Sequence, residues 1–140
     1  MLGDGLMKDV IFDDFQNSVD ASLLRHRSIL DIMTKLQESQ ARVNRAVAKT
    51  ITNCGCVEIH SNIEPLTEDN CIDNIDELKD FSTPQIKGEL CENCREVIEA
   101  EIGNNLFYLS SLCNLLDLNL YDVYLKEYDK IKTLGKYTLR

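Results

Sequence analysis

Tryptophan is absent from this 140-residue chain, and proline and glycine are scarce, with two and six residues. Long runs of β-branched residues are also missing, and together these absences fit an ordinary folded domain built mainly from helices. Lysine and arginine number 15 against 24 aspartates and glutamates, which gives a formal net charge of −9. A general nucleic-acid-binding surface needs clustered cations, so nucleic acid is not expected as a partner.

Targeting signals are missing as well. The first ten residues contain no basic region followed by an apolar stretch, so they do not form a signal peptide. The most apolar stretch, residues 106–120, is interrupted by five polar side chains and is too polar to span a membrane. We therefore expect a cytoplasmic protein without a membrane partner. In a reducing compartment, six cysteines are better explained by metal ligation or burial than by disulfides.

Two long helices are predicted in the first half of the chain. Neither glycine nor proline occurs between residues 6 and 53, and apolar residues recur there at helical spacing. The pattern predicts helices over 9–24 and 27–52, with a slight break near His26. Gly55 supplies a stop after the second helix.

An acidic connection is predicted over residues 57–83. Eight carboxylates in this segment face a single cation, Lys79, and one helical turn is expected around 74–80. Connections this long inside a compact domain are usually functional or mobile. Here a metal site would tie both ends together.

Two further helices follow the acidic connection. The third is predicted from Cys91–Cys94 to about Leu116, and the fourth to about Thr133 with Asn119 as its N-cap and Asp122 at the third position. The whole chain, residues 1–140, is thus predicted to be one all-α domain with four helices, antiparallel where the loops are short.

Two close cysteine pairs carry the strongest signal for a metal. Cys54-Gly-Cys56 and Cys91-Glu-Asn-Cys94 lie at the predicted ends of two helices. Four thiolates in two short-range pairs are typical of a tetrahedral zinc site, and Gly55 lets the tighter pair bend towards one ion. A site filled by four thiolates is closed, so the zinc is predicted to be structural.

Other interpretations of the cysteines remain open. Cys71 or His60, both in the acidic connection, could replace one sulfur. A redox dithiol is less favoured, because no βαβ pattern surrounds the CxxC pair. Cys113 falls on a helical face and is predicted to belong to the core.

A second polar cluster involves carboxylates on two helices. Glu101 lies in an otherwise apolar helix face with Asn104 three residues later, and a carboxylate there needs a partner, a metal or solvent. Glu38 and Arg42 are four residues apart on the second helix and share a face.

The stretch from Glu99 to Val123 resembles the third and fourth helices of MazG-like nucleotide pyrophosphohydrolases. The similarity includes the short turn and the acidic cap, and is much weaker in the first half of the chain. The resemblance implies an all-α bundle that splits a nucleoside triphosphate into a monophosphate and pyrophosphate. It also implies Mg²⁺ held by acidic residues, and assembly as a homodimer or a larger homo-oligomer.

The acidic motifs of that family are incomplete here. Its ExxD motif corresponds to Glu101 and Asn104, and its EExxE motif to residues 38–42, so Glu38 and Glu101 stand as vestigial catalytic positions. Arg42 places a cation where a carboxylate is required, which makes Mg²⁺ binding doubtful. We favour a structural ion-pair network of Glu38, Arg42 and Glu101 between the two helices.

Three functions follow as hypotheses. The first is a zinc-stapled MazG-like protein with weak or no catalysis, acting in binding or regulation, with a nucleotide as a candidate ligand. The second is an active Mg²⁺-dependent nucleoside triphosphate pyrophosphohydrolase. The third is a zinc- or thiol-based redox sensor.

A basic stripe on the second helix is the remaining feature. It consists of four cations at helical spacing: Lys35, Arg42, Arg45 and Lys49. The stripe could meet a phosphate, although a solvated helix face is the simpler interpretation.

Overall fold

Four helices and one two-stranded antiparallel sheet make up the described part of the computed structural model. The model describes residues 2–60 and 85–135, with side chains from residue 10 onward. The helices are α1 (Leu2–Ser22), α2 (Ile29–Lys49), α3 (Glu92–Leu115) and α4 (Leu120–Leu134), and a π-helical turn, Thr50–Cys54, extends α2. The strands are β1 (Val57–Ile59) and β2 (Ile86–Gly88). The all-α prediction is therefore confirmed at the level of fold class. The helical turn predicted over 74–80 lies outside the described residues.

The connection between α1 and α2 differs from the prediction. α1 begins seven residues before the predicted position 9. The slight break expected near His26 is a complete interruption, in which His26 takes a left-handed conformation with φ of 54°. α2 restarts at a cap that the sequence interpretation missed, since the Ser28 hydroxyl accepts a hydrogen bond from the Asp31 amide at 3.1 Å. A serine followed three residues later by an acid is a recognisable start signal.

The predicted acidic connection does not begin as a loop. Its first residues form β1, which pairs antiparallel with β2 so that Val57 faces Gly88 and Ile59 faces Ile86. The Val57 side chain is buried. Strand pairing was missed because each strand has only three residues and the partner is remote in sequence.

The main packing contact is between α2 and α3. Ile32 on α2 is fully buried, and Ile98 and Cys113 on α3 are also in the core, which confirms the interpretation of Cys113. One polar bond crosses the contact: Asn105 donates through Nδ2 to the buried Ser39 hydroxyl at 3.0 Å. This bond gives the buried hydroxyl a hydrogen-bond partner and so avoids the free-energy cost of an unsatisfied buried polar group.

Gln16 on α1 holds the turn between α3 and α4. Its side chain is 8% exposed; it donates through Nε2 to the Leu118 carbonyl at 2.6 Å and accepts through Oε1 from the Leu120 amide at 2.9 Å. Asn114 of α3 donates to the Gln16 carbonyl at 3.0 Å. One glutamine thus satisfies backbone groups on both sides of the turn.

The start of α4 agrees with the prediction. The Asn119 side chain accepts from the Asp122 amide at 3.0 Å, and Gly135 follows the last residue of the helix. The flank of α4 packs through aromatic rings, with Phe12 of α1 centred 5.4 Å from Tyr121 and 5.3 Å from Tyr124. Among the helices that the structure describes, none combines the length and apolar character needed to cross a bilayer.

Replacing Gln16 by leucine is expected to lower the free energy of unfolding by about 1–3 kcal/mol, because the Leu118 carbonyl and the Leu120 amide lose their partner. Urea denaturation followed by circular dichroism measures the change, with an unchanged m-value as a check on two-state behaviour. The control is Asn17→Leu on the exposed neighbour, with an expected change within about 0.5 kcal/mol. Equal losses in the two variants would contradict the role assigned to Gln16.

Candidate metal centre

The end of α2 presents the first cysteine pair. The helix widens into the π-helical turn at the buried Thr50, whose hydroxyl donates to the Val47 carbonyl at 2.7 Å. Gly55 then takes a left-handed conformation with φ of 74°, and its amide donates to the Thr50 carbonyl at 2.8 Å. This tight stop reverses the chain between Cys54 and Cys56, as the sequence predicted for a glycine at this point.

The start of α3 presents the second pair. Cys91 is the N-cap residue of this helix, and its sulfur accepts a hydrogen bond from the Cys94 amide at 3.4 Å. The cap therefore uses a sulfur where serine or aspartate is more usual. The same bond fixes the Cys91 side chain beside Cys94.

The two-stranded sheet brings the two cysteine pairs together. β1 begins directly after Cys56, and β2 ends three residues before Cys91, so antiparallel pairing sets the cysteine pairs at the same end of the sheet. Gly88 makes the approach close: a Cβ at this position would lie 2.5 Å from the Cys56 carbonyl oxygen, and its φ is 94°. Only glycine suits both the contact and the conformation.

The four predicted sulfurs meet in one cluster. The Sγ atoms of Cys54, Cys56, Cys91 and Cys94 all lie within 4.8 Å of one another, and those of Cys54 and Cys91 are 3.8 Å apart. A tetrahedron with metal–sulfur distances of about 2.3 Å has edges of about 3.8 Å. A disulfide would require about 2.05 Å, so the spacing suits four ligands around an ion.

The electrostatics of the cluster also favour a cation. The Cys94 amide lowers the pKa of Cys91 to about 7. A side-chain hydrogen bond with the Cys91 sulfur favours the protonated Cys94 thiol and raises the pKa of Cys94 to about 12. Four negative sulfurs therefore need a positive ion among them, and binding a metal releases the protons that the thiols carry.

Of the two alternative ligands, His60 does not join the cluster. His60 bonds through Nε2 to the Glu58 carboxylate at 3.0 Å, and Cys71 lies outside the described residues. Cys113 is buried in the core. Among the described side chains, those of residues 10–60 and 85–135, the four cysteines are the one group of three or more cysteine, histidine or acidic residues with the spacing of a metal site.

The carboxylate positions lie on another part of the α2–α3 contact. Glu38 accepts from Lys35 at 3.1 Å and from Arg42 at 3.1 Å, and these two hydrogen bonds, Lys35 first, lower the pKa of the Glu38 carboxyl. Asn104 and Tyr108 of α3 line a cleft of about 260 Å³ with these three residues. Arg42 therefore pairs with Glu38, the carboxylate that remains on α2.

Glu101 occupies an adjoining cleft of about 100 Å³, which shares Arg42 with the first. The Glu101 carboxylate forms neither a hydrogen bond nor an ion pair with another described residue. The ion-pair network predicted between the two helices is therefore limited to α2. Helical spacing predicted the Glu38–Arg42 pair. It could not predict how α3 is rotated against α2, and this rotation places Glu101 in a different cleft from Glu38.

Sequence reasoning missed the contribution of Tyr108 and the pairing of Lys35 with Glu38. The signal for Lys35 was available, because positions 35 and 38 are three residues apart on one helix. Tyr108 carried a weaker signal, as it lies one helical turn beyond Asn104.

No known family model, curated protein or solved structure matches this chain. The relation to MazG-like enzymes therefore stays a prediction from the residues that resemble them.

Gly88→Ala is expected to weaken metal binding by at least about tenfold, since the new methyl group pushes against the Cys56 backbone and displaces one ligand. Competition against a chromophoric zinc chelator measures the affinity. Gly103→Ala is the matched control, because a Cβ there meets nothing within 4 Å and the residue lies within α3. This control should keep the affinity and stabilise the fold by up to about 1 kcal/mol. An unchanged affinity in Gly88→Ala would show that the close approach does not position Cys56.

Proposed function

We propose that this chain is a MazG-like helical protein with a structural zinc ion, acting in binding or regulation with weak or no catalysis. The observation that carries the proposal is the cluster of four sulfurs within 4.8 Å, at a spacing that suits tetrahedral coordination. Thiolate ligands favour soft or borderline metals, and a tetrahedral set of four is typical of Zn²⁺. No ligand position is left for water or substrate, so the metal would have a structural role.

The zinc would act as a staple between the two main helices. It would tie the end of α2 at Cys54 and Cys56 to the start of α3 at Cys91 and Cys94. Closing the long connection in this way lowers the entropy of the unfolded chain, and the binding energy of the metal becomes folding energy.

The carboxylate centre supports little catalysis. Glu38 is engaged by two cations, and Asn104 offers a neutral amide beside it. Mg²⁺ requires oxygen ligands in octahedral geometry, and the Arg42 guanidinium repels a dication from this cleft. Glu38 and Glu101 line different clefts, so they do not form a two-ion site of the kind that assists attack and departure.

The exposed apolar surface favours a second copy of the chain as the partner. Large apolar side chains remain exposed, including Met33 at 54% and Leu106 at 43%. Another part of the α2–α3 contact forms an apolar groove of about 600 Å³. Burial of such surfaces in a homodimer or a larger assembly would remove them from water. A reducing, cytoplasmic location would keep the thiols free to bind zinc.

Purification under reducing conditions is expected to give one zinc ion per chain by atomic spectroscopy. Cys94→Ser should lower this content well below one and reduce the thermal stability, because the site loses a ligand. Cys113→Ala is the control: it alters a buried core cysteine but should keep the zinc. Protein isolated without metal, or equal loss in both variants, would refute the zinc staple.

Pyrophosphate release from a panel of nucleoside and deoxynucleoside triphosphates with Mg²⁺ is expected to stay near the uncatalysed background. Glu101→Gln should leave this background unchanged, because no ion depends on that carboxylate. A coupled phosphate assay with added pyrophosphatase provides the measurement. Turnover by the native chain that is abolished in Glu101→Gln would establish an active hydrolase and overturn the degenerate centre.

A further inference from the structure

A basic face runs along α2 in a chain whose overall charge is strongly negative. Its members are Lys35, Arg42, Arg45 and Lys49, at successive intervals of seven, three and four residues. Such intervals place all four on one side of a helix, over a length of about 21 Å. We name this set the basic face.

The basic face lines two adjoining clefts against α3. The larger cleft has a volume of about 260 Å³ and contains Lys35 and Arg42. The smaller, of about 100 Å³, contains Arg42, Arg45 and Lys49. Arg42 is the shared wall, so one extended ligand can contact both clefts. Their combined size is near the lower end for small-molecule sites.

Several donors in these clefts have unused capacity. The side chains of Arg45 and Lys49 form no ion pair or hydrogen bond with another described residue. Across the larger cleft, the Asn104 amide and the Tyr108 hydroxyl also make no hydrogen bond to a described residue. These groups are all hydrogen-bond donors, which is the arrangement that an anion requires.

The carboxylates in the clefts are outnumbered. Glu38 and Glu101 oppose four cations, which leaves a positive excess. The Glu38 pair is solvent-exposed, with 43% of its carboxylate side chain accessible, so it is weak and exchanges readily with a stronger ligand. A multiply charged anion therefore competes well for Arg42.

We propose that the basic face, with Asn104 and Tyr108, binds an anion of two or more linked phosphoryl groups directly, without a divalent metal. Guanidinium groups hold phosphate oxygens through paired hydrogen bonds, and lysines add point charges. Adjacent phosphoryl groups match the two adjoining clefts. This inference rests on the proposed function, in which the carboxylate centre holds no Mg²⁺. Bound Mg²⁺ would neutralise the negative charge of the phosphoryl groups that the basic face binds.

Inorganic tripolyphosphate is the probe for this site. Isothermal titration calorimetry is carried out in buffer freed of Mg²⁺ with a chelating resin, without added chelator so that the protein keeps its zinc. At about 50 mM salt, where screening is limited, it is expected to show one anion bound per chain. Arg42→Gln and Arg45→Gln should each weaken binding about tenfold, since each removes a charge-assisted bond. Arg25→Gln, an exposed arginine outside both clefts, is the matched control and should change the affinity less than twofold.

Two further measurements use the sign of the charge. Glu38→Gln should tighten binding a few-fold, because it removes a carboxylate that competes for Arg42. Adding excess Mg²⁺ should weaken binding, because bound Mg²⁺ neutralises part of the negative charge on the phosphoryl groups. Circular dichroism and zinc content of each variant confirm that the fold is intact.

The outcomes separate this inference from the proposed function. Absence of binding in the Mg²⁺-free buffer, or equal losses in Arg42→Gln and Arg25→Gln, overturns the anion site while the zinc staple and the lack of hydrolysis stand. Binding that requires Mg²⁺ and is lost in Glu38→Gln would instead show a metal–carboxylate centre. That result would overturn the anion site and the degenerate centre together.

Discussion

The crowding of four sulfur atoms is the constraint on which the rest of the structure depends. Thiols this close cannot all ionise alone, as the raised pKa of Cys94, to about 12, shows. The local structure brings the four sulfurs close together through a π-helical turn, a left-handed glycine and a pair of strands that leaves no room for a side chain at Gly88. A dication at the centre would turn this repulsion into attraction.

The position of the clefts depends on that same cluster. Asn104 lies ten residues beyond Cys94, or about 15 Å along α3. Between the two helices, the Ser39–Asn105 hydrogen bond fixes their alignment close to this point. A helix pair held at one end and aligned near its middle presents Arg42 and Asn104 at a constant separation. A metal bound by the four cysteines would thus affect the proposed anion site by positioning the two helices, without contacting the anion.

Local signals in the sequence predicted a large part of this arrangement. The cysteine pairs, the Asn119 cap and the Glu38–Arg42 pair each involve residues within a few positions, so spacing alone identifies them. The β1–β2 pairing depends on segments far apart in the chain, and three-residue strands carry almost no pattern. The separation of Glu101 from Glu38 depends on how α3 is rotated against α2, which side-chain periodicity does not determine.

Gln16 shows how far apart in the chain the stabilising contacts can be. Its hydrogen bonds reach Leu118 and Leu120, which are 102 and 104 residues away. A ribosome adding about 5–20 residues per second needs roughly 5–20 seconds to make that interval. Isolated helices have marginal stability in water, and during this time α1 lacks the contact of Gln16 with the turn between α3 and α4. Gln16 can therefore form these two bonds only after the segment that carries Leu118 and Leu120 has been synthesised.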